Sequence, residues 1–568
     1  MIALYIAISP LVWVASGRAF FLGSPLRIDA YVYLGYANNY SELVQRFGPT
    51  YYSTRVTATG PAGAFASWFG LTAGYLVWHY ILAIALIGSI YVLVSRIGGR
   101  FIALLSIGVL VFLPWLIPTL STDYTDGPAI VYLTAALALM VASEDSVRRG
   151  IPLAFIAGAF FSFSVIANFA ALPHVVIAVT TWLVVFIRRQ LFFWHVGRLV
   201  AILGGLFLAY AAINRLYLSF QPGGRSIWDI NWEYTRILSD GAGRSWYAGF
   251  FDALRINRHV YYVVATIALS TSAVVVVLVR RLAVPGRNTH VFAALFGSLT
   301  VVYVFVMHFR GFAALNWFYG TSWLLPSFAV GIGVLLHLAS FGSNDDPSLK
   351  SKSQLIALFA LAATFLTQQL TTHWIGVLQL VVTATAFTVL SLWIRGMRKA
   401  PRVAALPVLV LSLCLFFGTF NNDFYVAATK PQVQVELDSR KLAVAFQDAI
   451  SHRLDSTKSV GFWYDTGKWE LDAIQSTFLW GYTLVSFKSP PQPDKDMLAN
   501  QATKTYLVVM SNEDRDIQFM YQQLCAAGVF RSIVDTIQLG FGDLQVFGAV
   551  LGPPVETRCG ENLDRISF

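Results

Sequence analysis

Charge is what this chain has least of. Of its 568 residues only 12% are Asp, Glu, Lys or Arg, where a soluble chain carries about a quarter. With 56% hydrophobic residues and a mean hydropathy of +0.61, that shortage excludes a wholly soluble protein and places the chain in the membrane class. Cysteine is scarce as well: three residues, too few for a disulfide framework. Cys414 lies in an apolar run and reads as a core residue. Cys525 and Cys559 fall in the polar C-terminal segment and can pair if that segment faces an oxidising compartment. There is no Walker loop, no G-x-G-x-x-G after a strand, no H-E-x-x-H and no G-x-S-x-G. A chain with no grip on a nucleotide that acts outside the cytoplasm needs an activated substrate delivered by the membrane itself.

The net charge of +10 sits in short basic clusters between apolar runs, the pattern of cytoplasmic loops, and argues against a nucleic-acid partner. A helix needs about 20 apolar residues to cross the hydrocarbon. By that measure the sequence predicts a polytopic α-helical membrane protein of about thirteen helices, near 2–22, 71–95, 101–119, 127–143, 151–167, 170–187, 199–214, 259–279, 289–307, 319–340, 354–370, 374–394 and 403–420. The first run lacks a basic n-region and an A-x-A-like site, so it reads as a retained helix. Arg96, Arg148, Arg188, Arg280, Lys350 and Arg395 fall in alternate connections, which puts the N-terminus in the cytoplasm and the end of the chain outside. Residues 215–258 carry six arginines on the outer side, interleaved with Asp229, Glu233, Asp240 and Asp252.

The large outer segments are then 23–70, 215–258 and 421–568, the first two belonging to a membrane domain spanning 1–420. From about 431 the composition changes to that of a soluble, extracytoplasmic α/β domain. Val460–Tyr464 and Thr505–Met510 read as buried strands, Asp514–Ala527 as an amphipathic helix, and Ile533–Leu539 with Leu544–Leu551 as a hairpin.

The densest cluster of unusual residues follows the first helix. Asp29 stands among Tyr31, Tyr33 and Tyr36, and in a helix Asp29, Tyr33 and Tyr36 share one face at i, i+4 and i+7. Tyr51-Tyr52-Ser53-Thr54-Arg55 follows, with a stretch between long enough for a helix lying on the bilayer. The plainer reading is a capping Asp29 within an aromatic belt. Arg18 lies within the first apolar run, where an ionisable residue is a functional candidate, although it can also snorkel outward. Asp123 and Asp126 occupy the second outer loop. Asp126 precedes Gly127-Pro128 and so also suits a helix N-cap. His308-Phe309-Arg310 ends an apolar run on the outer side, and Trp228, Trp232 and Trp246 can stack on sugars or lie at headgroups.

A first helix, an Asp-bearing outer loop with interfacial helices and many further helices together resemble the GT-C superfamily of glycosyltransferases. The likeness is greatest to its protein mannosyltransferase and aminoarabinose transferase branch, and the terminal domain is similar to that of oligosaccharyltransferase-like members. Asp29 is followed by Ala30 where protein mannosyltransferases carry an Asp-Glu pair. The resemblance implies inverting transfer of a sugar from a polyprenyl-phosphate donor to a glycan, lipid or protein acceptor, with Asp29 as the catalytic base. Candidate substrate-binding residues are Arg18, Tyr33, Tyr52, Arg55, Asp123, Asp126 and Arg310. Arginine or a divalent cation can meet the developing phosphate charge, so the metal stays unassigned. A bacterial inner membrane, facing the periplasm, is the expected location. The rival readings are a transporter or flippase of lipid-linked glycans and a noncatalytic membrane scaffold.

Overall fold

The computed structural model of the chain describes residues 2–15, 28–110, 119–120, 125–145, 147–187, 191–221, 224–242, 258–279, 286–312, 322–341, 460–464, 483–484, 505–526, 528–541 and 544–555, with isolated positions between 410 and 450. The membrane part comprises α1 (Ile2–Ala15), α2 (Ile28–Phe47), α3 (Val56–Phe69), α4 (Leu71–Gly98), α5 (Arg100–Leu110), α6 (Asp126–Ala142), α7 (Val147–Ala167), α8 (Ala171–Phe186), α9 (Phe192–Ser219), α10 (Ile227–Ala242), α11 (Arg258–Val279), α12 (Arg287–Met307) and α13 (Leu325–Phe341). Among the described residues, five helices, within α4, α6, α7, α9 and α12 and their flanks, are long and apolar enough to cross a bilayer. The first ten expected spans fall on α1, α4 to α9 and α11 to α13. The ranges 354–370 and 374–394, nearly all of 403–420, and Arg18 lie outside the described residues.

One boundary differs for a physical reason. The sequence predicts a span beginning at 199, after Arg198, yet α9 starts at Phe192. Arg198 is buried and donates to Glu144 at 2.8 Å, and Trp182 Nε1 donates to the same carboxylate at 3.1 Å. A guanidinium satisfied in this way no longer marks a helix edge, so the apolar run continues through it.

Between membrane helices there is no water-driven hydrophobic term, so close backbone approach has to supply the contact. A Cβ on Gly158 of α7 would stand 2.0 Å from the carbonyl oxygen of Ile202 on α9, and one on Gly205 would stand 2.0 Å from that of Phe155. Each glycine thus opens the other helix's path. Gly158→Leu is expected to force α7 and α9 apart and to lower stability by about 1–3 kcal/mol. Thermal unfolding in detergent measures this, and an unchanged midpoint would show that the two helices do not meet there.

The C-terminal part holds β1 (Val460–Tyr464), β2 (Thr483–Leu484), β3 (Tyr506–Ser511), α14 (Asp514–Ala526), β4 (Arg531–Phe541) and β5 (Leu544–Pro554). The sheet order is β2-β1-β3-β5-β4; β1 runs parallel to β2 and β3, and β5 antiparallel to β3 and β4. Trp463, Leu507, Val509, Ile517, Met520 and Leu524 form its core with α14. Arg531 is buried at the sheet edge and donates to the Gly552 carbonyl at 2.7 Å; burial lowers its pKa to about 10. Cys525 is disulfide-bonded, and Cys559 lies outside the described residues.

Candidate functional site

Residues 28–69 form a pair of helices, α2 and α3, joined by a short 3-10 turn at Tyr52–Thr54. A Cβ on Gly63 would meet the Ala37 carbonyl oxygen at 2.0 Å, so α3 seats α2 backbone to backbone. Asp29 is in the first turn of α2, one and two turns before Tyr33 and Tyr36 on the same helical face. Its side chain, like Asp123 as a whole, lies outside the described residues.

Hydroxyls lock the turn. Ser53 Oγ donates to the Thr50 carbonyl at 2.7 Å and shares a 3.0 Å hydrogen bond with the Tyr217 hydroxyl of α9. Tyr40 donates to the Ser53 carbonyl at 2.7 Å, and Tyr36 and Thr50 share a 2.9 Å bond. Burial raises the pKa of both Tyr36 and Tyr40, so both stay protonated at neutral pH.

This rigid turn delivers Arg55, the residue on which the site depends. Arg55 is 0% exposed, and its guanidinium carbon lies 4.0 Å from the centre of the Tyr51 ring. None of its three guanidinium nitrogens has a hydrogen-bond partner among the described residues. Tyr51 in turn stacks on Tyr234 of α10, with centroids 3.9 Å apart. Thr54 donates to Asn231 on the same helix at 3.4 Å. Tyr52 stands edge-on to Tyr51 at 5.7 Å and to Tyr33 at 5.4 Å.

Tyr33 is buried and lines a small cavity with Thr59, Tyr75, Trp78, His79 and Thr125. His79 Nδ1 lies 2.5 Å from the Leu120 carbonyl oxygen. The neighbouring Asp126 corrects the expectation of an N-cap. Thr125 holds the cap position without a side-chain bond, and Asp126 opens α6. Its Oδ1 instead accepts from Asn168 at 3.0 Å and from Trp323 Nε1 at 2.9 Å, bridging the α7–α8 turn and the approach to α13. Trp323 stacks on His174 at 5.0 Å.

Arg310 is exposed on a π-helical turn, His308–Phe312, that continues α12. Helix α10 packs against both this turn and the Tyr52–Thr54 turn, so it links the two arginine-bearing segments. The structure thus brings Tyr33, Tyr52 and Arg55 into one neighbourhood, places Arg310 across α10, and sets Asp126 beside the cavity. The partners that sequence reasoning missed are Tyr217, Tyr234, His79 and Trp323. Of these only Tyr234 carried a signal, falling on the buried face of α10 with Ile227, Ile230 and Asn231. Among the described residues, no three His, Cys, Asp or Glu side chains come together as a metal-ligand group.

The architecture matches solved structures. ArnT from Cupriavidus metallidurans, an aminoarabinose transferase, superposes in its apo state with a TM-score of 0.50 over 97% of both chains at 14% identity. The fold is the one ArnT adopts. ArnT bound to undecaprenyl phosphate gives a TM-score of 0.49 at 15% identity, again over 97% of each chain. The archaeal oligosaccharyltransferase AglB from Archaeoglobus fulgidus, in complex with an inhibitory peptide and a dolichol-phosphate, gives 0.44 at 11% identity over 97% of this chain and 76% of its own. No family model matches the chain, and no curated protein matches it in sequence. The likeness is therefore one of fold.

Proposed function

We propose that the protein is an inverting glycosyltransferase that moves a sugar from a polyprenyl-phosphate carrier to a lipid, glycan or protein hydroxyl on the outer face of the membrane. The observation that carries this reading is Arg55. A buried guanidinium whose nitrogens lack hydrogen-bond partners among the described residues costs several kcal/mol, and stacking on Tyr51 offsets at most about 2 kcal/mol. An anion bound at Arg55 removes the deficit, and a phosphate offers oxygens suited to the guanidinium fork.

In the proposed reaction Asp29 takes the proton from the acceptor hydroxyl. The acceptor oxygen attacks the anomeric carbon from the face opposite the phosphate. The bond from that carbon to the phosphate oxygen breaks, its electron pair leaves on the phosphate, and Arg55 faces the charge that develops there. A phosphate departs as an anion without a general acid, so one base suffices. Tyr33, one turn after Asp29 on α2, stands edge-on to Tyr52, and with them Arg310, Arg18, Asp123 and Asp126 complete the candidate substrate contacts. We place the N-terminus in the cytoplasm and residues 421–568 outside, in a bacterial inner membrane. The disulfide at Cys525 supports an oxidising compartment for that segment.

The test is mass spectrometry of surface glycans and glycolipids from cells with and without the protein. One added sugar that depends on the protein is the expected result, and the mass gap gives its class. Identical profiles, together with accumulation of a lipid-linked glycan on the inner face, would overturn the enzyme reading in favour of a flippase.

A further inference from the structure

Helix α10 presents two different faces. Ile227, Ile230 and Asn231 are buried and Tyr234 stacks on Tyr51, while Trp228, Trp232 and Ile237 point away with 42%, 57% and 57% of their surface exposed. The two indole rings are parallel to within 8°, with centroids 6.3 Å apart, and Phe169 stands edge-on to Trp228 at 5.2 Å. The base of α10 is fixed to the C-terminal end of α9. Asn214 Oδ1 accepts the Ile227 amide at 2.9 Å, and the Tyr210 hydroxyl accepts that of Trp228 at 3.1 Å. Below them, α9 is a 28-residue apolar span that exposes Leu203, Phe207, Leu208 and Leu216 along its length. Exposed apolar side chains thus occur both along the span and on the helix fixed to its end.

We propose that the Trp228–Trp232 face of α10 seats in the headgroup–acyl boundary of the outer leaflet, making α10 a membrane-anchored brace behind Tyr51. Indole is the side chain that this boundary favours, with its apolar ring toward the acyl chains and its N–H toward water. An amphipathic helix held at the end of a span lies at that depth. Charge agrees with the assignment. Arg225 pairs with Glu233 and also donates to the Asp229 carbonyl at 3.4 Å, so these charges are engaged with one another beside the indoles. The competing occupant is a glycan stacked on the two rings, which requires them to face water. The inference concerns the bilayer and stands whatever reaction the protein catalyses.

The full chain is reconstituted in phosphatidylcholine vesicles, plain or brominated at a shallow or a deep acyl position, and its tryptophan emission is compared with that of the Trp228→Phe/Trp232→Phe variant. The expected result is that the emission lost in the variant is the part quenched by brominated lipid, more strongly by the shallow label, and spared by aqueous acrylamide. If that emission is quenched by acrylamide and untouched by brominated lipid, the rings face water and the proposal is overturned in favour of a glycan platform. Should the double variant fail to fold, Trp232→Phe alone gives the same comparison at the more exposed ring.

Discussion

Asp29→Asn lowers sugar transfer by about 10²–10⁴-fold, the usual contribution of a general base, and leaves the protein folded. The substitution is informative because it separates two roles that the position can fill. Asp29 falls in the first turn of α2, where the helix dipole favours a negative charge and where acidic residues also serve as structural anchors. Asparagine keeps the shape and loses only the charge–dipole interaction, so a purely structural Asp29 tolerates the change at a cost of about 0.3–1 kcal/mol. It cannot accept a proton from an acceptor hydroxyl. Loss of turnover with an unchanged unfolding midpoint and an unchanged donor affinity is therefore the signature of the base. Normal turnover would remove Asp29 from the chemistry. The measurement is single-turnover transfer in vesicles, because product release can hide a slow chemical step.

The membrane fold was legible because its signal is local. Apolar runs of the right length predict α4, α6, α7 and α8 to within a few residues, and Val460–Tyr464 appears as a strand with the predicted bounds. Alternation and amphipathicity also located α14 and the β4–β5 hairpin. The errors lie where a distant contact overrides a local cue. Arg198 looked like a helix edge, but its partner Glu144 lies 54 residues away. Asp126 before Gly127-Pro128 looked like a cap, yet its carboxylate is taken by Trp323, 197 residues on.

The site divides along the same line. Arg55 was legible as a cation beside two tyrosines in an outer loop. Its burial was not, because that depends on α10 closing over Tyr51 through Tyr234 and Asn231. Nothing in a period of 3.6 residues says which of six arginines or three tryptophans in 215–258 faces inward. Helix α10 could be read as amphipathic, but its partner could not be named from its own sequence. The cavity beside Tyr33 has the same origin, since α2, α3, α4 and the start of α6 each contribute walls that no single segment foretells.

Arg55→Ala is expected to reduce transfer by about 10²–10³-fold, the range for removing one preorganised group from a developing anion. Its effect on stability should run the other way. Without donor, the wild-type protein holds a fully buried guanidinium against the Tyr51 ring alone, as far as the described residues show. Deleting the charge relieves desolvation at the cost of one cation–π contact, so the donor-free variant unfolds at the same temperature as wild type or higher. Wild type is then stabilised by added polyprenyl phosphate through mass action, and the variant is not. Arg55→Lys keeps the charge but loses the planar fork, and is expected to recover only part of the rate. A structural arginine gives the opposite pattern: the donor-free protein loses several kcal/mol, while donor affinity and the response to polyprenyl phosphate stay as they were. That result would move the phosphate to Arg310 or to the arginines of 215–258, leaving the fold as it stands and taking away the observation on which the proposed donor rests.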